Sequence, residues 1–157
     1  MNMNLNALAI ALHVLSAALW VGGMFFAHQV LRPVAAAQLE PPARLKQWAG
    51  VFSRFFPWVW LFVLLLPLTG YWLIFKLYGG MGSAGLHIHI MQGLGWVMIL
   101  IYMHLFFAPF KRFKEAVITE QWPEAGKQLN QIRTMVGINL GLGLLVVTIA
   151  AGGRYVF

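Results

Sequence analysis

Five histidines, His13, His28, His87, His89 and His104, sit in or at the edge of two strongly apolar stretches of the chain. An ionisable side chain inside a membrane helix is costly, so its default reading is functional. The spacing adds to this, because His13 to His28 and His89 to His104 are both fifteen residues. Trp20 and Trp96 follow the first histidine of each pair by seven, and Pro33 and Pro109 follow the second by five. Both stretches therefore read H-x6-W-x7-H-x4-P. Imidazoles duplicated in this way point to ligation of iron or copper rather than to packing alone.

Fifteen residues at 1.5 Å per residue separate the two histidines of a helix by about 22 Å along its axis. At 100° per residue they differ by only about 60° in azimuth. Both then face one side, and a twofold axis would pair His13 with His89 near one membrane face and His28 with His104 near the other. Two stacked bis-histidine sites suit b-type haem, with His13 and His89 on the outer iron and His28 and His104 on the inner one. Lys76 and Arg154 would meet propionates at the outer level, Arg54 and Arg133 at the inner level, with Trp20 and Trp96 between the haems. Small residues at Gly22, Gly23, Gly93, Gly95, Gly137, Gly141 and Gly143 would make room. His87 falls about 160° from His89 and belongs at an outer rim.

Copper is the alternative cargo or cofactor. Copper(I) favours imidazole and thioether ligands, and Met24, Met91, Met98 and Met103 lie on the histidine-bearing stretches. A third possibility is a structural subunit in which the histidines, Asn139 and Thr148 bond between helices. Hydrolysis is excluded, since no acidic residue lies in a span and Ser16 has no base–carboxylate relay.

The elements that must hold these residues are membrane spans. The chain has 157 residues, of which 61% are hydrophobic and 10% charged, with a mean hydropathy of +0.75. Soluble domains carry about 25% charged residues. Four stretches reach the roughly 20 apolar residues a span needs: about 5–31, 55–78, 86–110 and 135–152. This predicts an all-α, four-helix transmembrane bundle forming one domain, built from a tandem two-helix repeat with halves at about 1–78 and 79–157. The first stretch is too long for a signal-peptide core and no Lys or Arg precedes it, so retention is expected.

Eleven basic residues against four acidic ones give a net charge of +7. Nine of the eleven lie after the first or third span: Arg32, Arg44, Lys46, Arg54, Lys111, Arg112, Lys114, Lys127 and Arg133. The positive-inside rule puts these loops in the cytoplasm of a bacterial inner membrane and both termini in the periplasm. The charge thus reflects orientation in lipid and not a nucleic-acid partner. Segments 33–53 and 111–132 are expected to form surface helices capping the cytoplasmic side, too small to bury a core of their own. Cysteine is absent, which excludes disulfides, iron–sulfur clusters and covalent c-type haem.

The stretch Leu12-His13-Val14-Leu15-Ser16-Ala17-Ala18-Leu19-Trp20-Val21-Gly22-Gly23 resembles the first helix of the copper-resistance D (CopD) membrane family, and the segment from Gln131 to Gly143 resembles that family's closing helix. The resemblance implies a small polytopic inner-membrane protein associated with copper uptake, with His13 as a motif residue and this chain as the core of larger members. The same opening is similar to the four-helix bacterial protoporphyrinogen oxidase family, which is associated with haem. That family's third-helix Lys is replaced here by the second His of His87-Ile88-His89, and its Asn-Glu-x-Pro signature is absent around Asn130-Gln131-Ile132-Arg133. The vertical histidine pairs are also similar in arrangement to those of di-haem cytochromes b. Together these readings lead to a haem-dependent electron-transfer protein that exchanges electrons with a quinol or another small redox molecule, or else to a copper-transport protein.

Overall fold

The computed structural model describes residues 2–156, with the side chains of residues 2–4 and Arg154 outside the described set. Four helices are long and apolar enough to cross a membrane: α1 (Leu5–Gln38), α2 (Pro41–Leu77), α3 (Leu86–Ile118) and α4 (Trp122–Gly152). They run up and down, joined by brief turns. The α1–α2 turn is Leu39 and Glu40, where Glu40 is extended (φ −62°, ψ 154°) and Pro41 and Pro42 restart the helix, the positions at which a missing N–H does no harm. The α2–α3 turn uses Gly79 and Gly80 at positive φ, 74° and 122°, which glycine adopts without a Cβ clash. The chain termini and this glycine turn share one end of the bundle, called here the terminal end. The two loops rich in Lys and Arg define the basic end.

The helices are longer than their hydropathy suggests. At 1.5 Å per residue, the 37 residues of α2 span about 55 Å, against about 30 Å of hydrocarbon. The expected surface caps are thus corrected: segments 33–53 and 111–132 continue the spanning helices past the membrane. Pro33 and Pro109 would ordinarily break a helix by removing an N–H and crowding the carbonyl four residues back. Here each is accommodated by a widened π turn, Phe26–Leu31 before Pro33 and Phe106–Phe110 around Pro109, in which the Arg32 N–H reaches back five residues to Ala27 O. A π turn is a common way for a helix to absorb such a break. The protruding ends also bury side chains after all, since Phe113, Ala125 and Ile132 are fully enclosed at the basic end. Lys46 on α2 reaches the α3–α4 turn, 3.8 Å from Glu120 and 5.3 Å from the Trp122 ring centroid. Such an exposed pair adds little stability.

Packing runs α1 on α2, α3 on α4 and α1 on α4. The α2–α3 side is closed by large rings: Phe52, Phe56 and Trp60 from α2 interlock with Tyr102, Phe106, Phe110 and Phe113 from α3, at centroid separations between 4.6 and 6.2 Å. α1 and α3 therefore face each other across a diagonal, touching at mid-depth where Trp20 meets Tyr102 edge-on at 6.2 Å. Polar bonds pin the seams in the low-dielectric core. Tyr102 Oη donates to Phe56 O at 3.0 Å and Asn139 Nδ2 to Met98 O at 3.1 Å. Removing the first by Tyr102→Phe keeps the ring contacts and takes away a buried hydrogen bond across the α2–α3 seam. The expected loss is about 1 kcal/mol, read as a lowered thermal midpoint in detergent. Thr148, by contrast, bonds within its own helix to Leu144 O at 2.8 Å. The lipid side is covered by exposed apolar residues such as Leu15, Leu64, Leu68 and Leu100, as a bilayer requires.

Candidate metal site along the first helix

His13 is partly buried and points at α2, where its Nδ1 lies 2.8 Å from Thr69 Oγ1. The Thr69 hydroxyl has one proton and places it on Leu65 O at 2.6 Å, so it accepts from the ring. His13 therefore carries its proton on Nδ1 and keeps the Nε2 lone pair free, the state a metal ligand needs. Gly70 completes the seat, because a Cβ there would stand 3.2 Å from His13 Cε1. Neither Thr69 nor Gly70 was anticipated from the sequence, although a hydroxyl beside a glycine in the middle of an otherwise apolar span is a readable signal.

His28 lies on the same helix toward the basic end, against α4. A Cβ at position 137 would come within 3.1 Å of His28 Nε2, so Gly137 is what admits the ring. His28 Nδ1 is buried without a hydrogen-bond partner. Two adjoining cavities follow the helix here. One, at mid-depth, is lined by Trp20, Met24, Tyr102 and Asn139, and the next by His28, Arg32, Trp48 and Arg133. Ala27, Phe52 and Val136 line both. The Asn139 Oδ1 at the first cavity is also buried and unpartnered.

The symmetric partners expected of these histidines are placed differently. His89 and His104 are exposed on α3, while His13 and His28 turn to α2 and α4. The pairs His13–His89 and His28–His104 are accordingly not formed, because the two histidine helices are diagonal neighbours separated by packed core. Trp20 is buried, but its counterpart Trp96 is 43% exposed and donates to Tyr71 Oη at 3.1 Å. Arg54 is exposed, and Lys76 is exposed with its ammonium 5.4 Å over the Trp72 ring. Arg133 reaches the His28 cavity, and the side chain of Arg154 lies outside the described residues. His87 is wedged at the terminal end, where a Cβ on Gly153 would stand 2.7 Å from its own Cβ and its Nδ1 has no partner. Met91 is partly buried and Met103 exposed, whereas Met24 and Met98 are buried. The residues present thus do not fit a bis-histidine haem within the bundle. Among the described residues, no three His, Asp or Glu side chains converge on one point. Copper(I) does not need such a cluster, since two or three soft ligands satisfy it.

Fold and site together define a multi-pass four-helix membrane protein with partly buried histidines on one helix, in which the acidic residues of the spanning helices, Glu115 and Glu124, lie at the basic end. The sequence model of the copper resistance protein D family matches residues 49–152, which takes in most of α2 and the whole of α3 and α4. The chain belongs to that family. No curated protein and no solved structure matches it. The segment bearing His13 and His28 precedes the matched stretch, so those two residues rest on their own geometry.

Proposed function

We propose that the protein takes copper(I) into or through the membrane along α1, with His13 Nε2 as the first ligand, Met24 Sδ at mid-depth and His28 toward the basic end. The metal is cargo and stays copper(I), exchanging imidazole for thioether and thioether for imidazole with no electron transfer. The observation that carries this reading is the Thr69-oriented His13, a partly buried imidazole whose free nitrogen is fixed by a neighbouring hydroxyl in a chain of the copper resistance protein D family. Met24 and His28 line adjoining cavities, so a bound ion has a second and a third stop. The positive-inside rule, applied to the basic loops, supports a reading in which the terminal end, and His13 with it, faces the periplasm.

Detergent-purified protein loaded with copper(I) under a competing chelator is expected to retain about one metal per chain by elemental analysis. His13→Ala should release most of it, and His28→Ala should slow uptake into copper-free proteoliposomes. A visible spectrum of the reduced sample is taken alongside: stoichiometric haem with no retained copper would overturn the copper reading in favour of a haem protein whose iron is held on the α3 surface.

A further inference from the structure

The cavity at the basic end holds more unpaired hydrogen-bond donors than a copper path explains. Trp48 is only 3% exposed, yet its indole Nε1 has no partner. Arg133 Nε is likewise buried and unpartnered. Both residues line the cleft, together with Arg32 at its mouth and Phe52 and Val136 on its apolar walls, and His28 closes its inner side. Arg44 and Arg32 are within electrostatic reach of Arg133. Among the described residues the only carboxylate in an ion pair is Glu120, which is taken by Lys46. Orientation in the membrane calls for basic residues at this end, but it gives no reason to bury an indole N–H beside an unpaired guanidinium. Buried donors of this kind are normally satisfied, and converging N–H groups with positive charge and no acid are what an oxyanion needs.

We propose that this cleft binds the phosphodiester headgroup of an anionic membrane lipid. Arg133 and Trp48 hold the phosphate oxygens, and Arg32 closes over them. The cleft is narrow, about 20 Å³ behind a mouth open to the surface, so the phosphate sits at the mouth and only its oxygens reach in. Its position favours a lipid over a free ion. Its walls come from α1, α2 and α4, at a level of the bundle where Val30, Val34 and Ile138 are exposed and offer a surface for acyl chains, and basic pockets between membrane helices on the cytoplasmic side take such headgroups. The cleft shares His28 with the proposed copper path, but Arg133, Trp48 and Arg32, which would hold the phosphate, are not copper ligands.

The test is thermal unfolding and native mass spectrometry of the full chain in detergent, titrated with phosphatidylglycerol, phosphatidylcholine or inorganic phosphate. Phosphatidylglycerol is expected to raise the unfolding midpoint by several degrees and to remain bound at about one lipid per chain, with phosphatidylcholine much weaker. Arg133→Gln should weaken phosphatidylglycerol about tenfold or more, as loss of a charge-assisted hydrogen bond does. Trp48→Phe, which keeps the ring and removes only the N–H, should weaken it several-fold and carries the test if Arg133→Gln does not fold. An equal midpoint shift with inorganic phosphate alone would overturn the lipid assignment. So would an unchanged affinity in Trp48→Phe, or no preference for phosphatidylglycerol.

Discussion

Thr69→Val is expected to bind copper(I) about 10- to 100-fold more weakly than the unaltered protein, the usual cost of removing an outer partner from a metal-bound histidine. The substitution preserves shape and removes one hydroxyl. That hydroxyl sits 2.6 Å from Leu65 O and 2.8 Å from His13 Nδ1, and with its proton committed to the carbonyl it holds the imidazole proton on Nδ1. Without it the ring samples both tautomers and its angle loosens, so Nε2 presents a lone pair to the metal only part of the time. Thr69→Ser retains the oxygen and should recover most of the affinity, which separates this mechanism from a packing defect. Competition against a copper(I) chelator reads the result. Equal affinities for Thr69→Val and the unaltered protein would remove His13 from the metal path.

The largest effect on stability is expected at Gly143. A Cβ at this buried position would lie 2.8 Å from Val21 Cγ2 and 3.2 Å from Met98 Cε, so α1, α3 and α4 all close on one backbone atom. Overpacking typically costs about 1–3 kcal/mol for an added methyl or two, and a leucine has no free direction here. Gly143→Leu should leave no monodisperse protein on size exclusion in mild detergent. Gly143→Ala should fold with a lowered unfolding midpoint, and pairing it with Val21→Ala, which removes the nearer contact, should restore most of the loss. Failure of that rescue would place the strain elsewhere.

The four spans were legible because hydropathy reports a bilayer whatever the helices do inside it. The helix ends were not. Pro33, Pro109 and the charged runs after them read as breaks, and only the π turns show how the helices carry on past the hydrocarbon. The histidines divide in the same way. Ideal periodicity sets His13 and His28 on nearby faces of α1, and the structure turns His13 to α2 and His28 to α4. It equally set His89 and His104 on one face of α3, but could not say which face. Spans that are apolar all round give no amphipathic cue to the buried side, and the large rings between α2 and α3 turn that face of α3 outward. Thr69 escaped notice because its role lies in a contact 56 residues distant in sequence, which spacing within one helix cannot reveal.

The aromatic seam between α2 and α3 has an optical consequence. Tyr102 lies 6.2 Å from Trp20 and 5.3 Å from Trp60, far inside the range over which an excited phenol hands its energy to an indole. Light absorbed by that tyrosine therefore leaves the folded protein as tryptophan emission, and Trp20, buried at mid-depth, emits toward the blue. Melting the seam separates the rings, so the chain carries its own fluorescent gauge of whether its core is assembled.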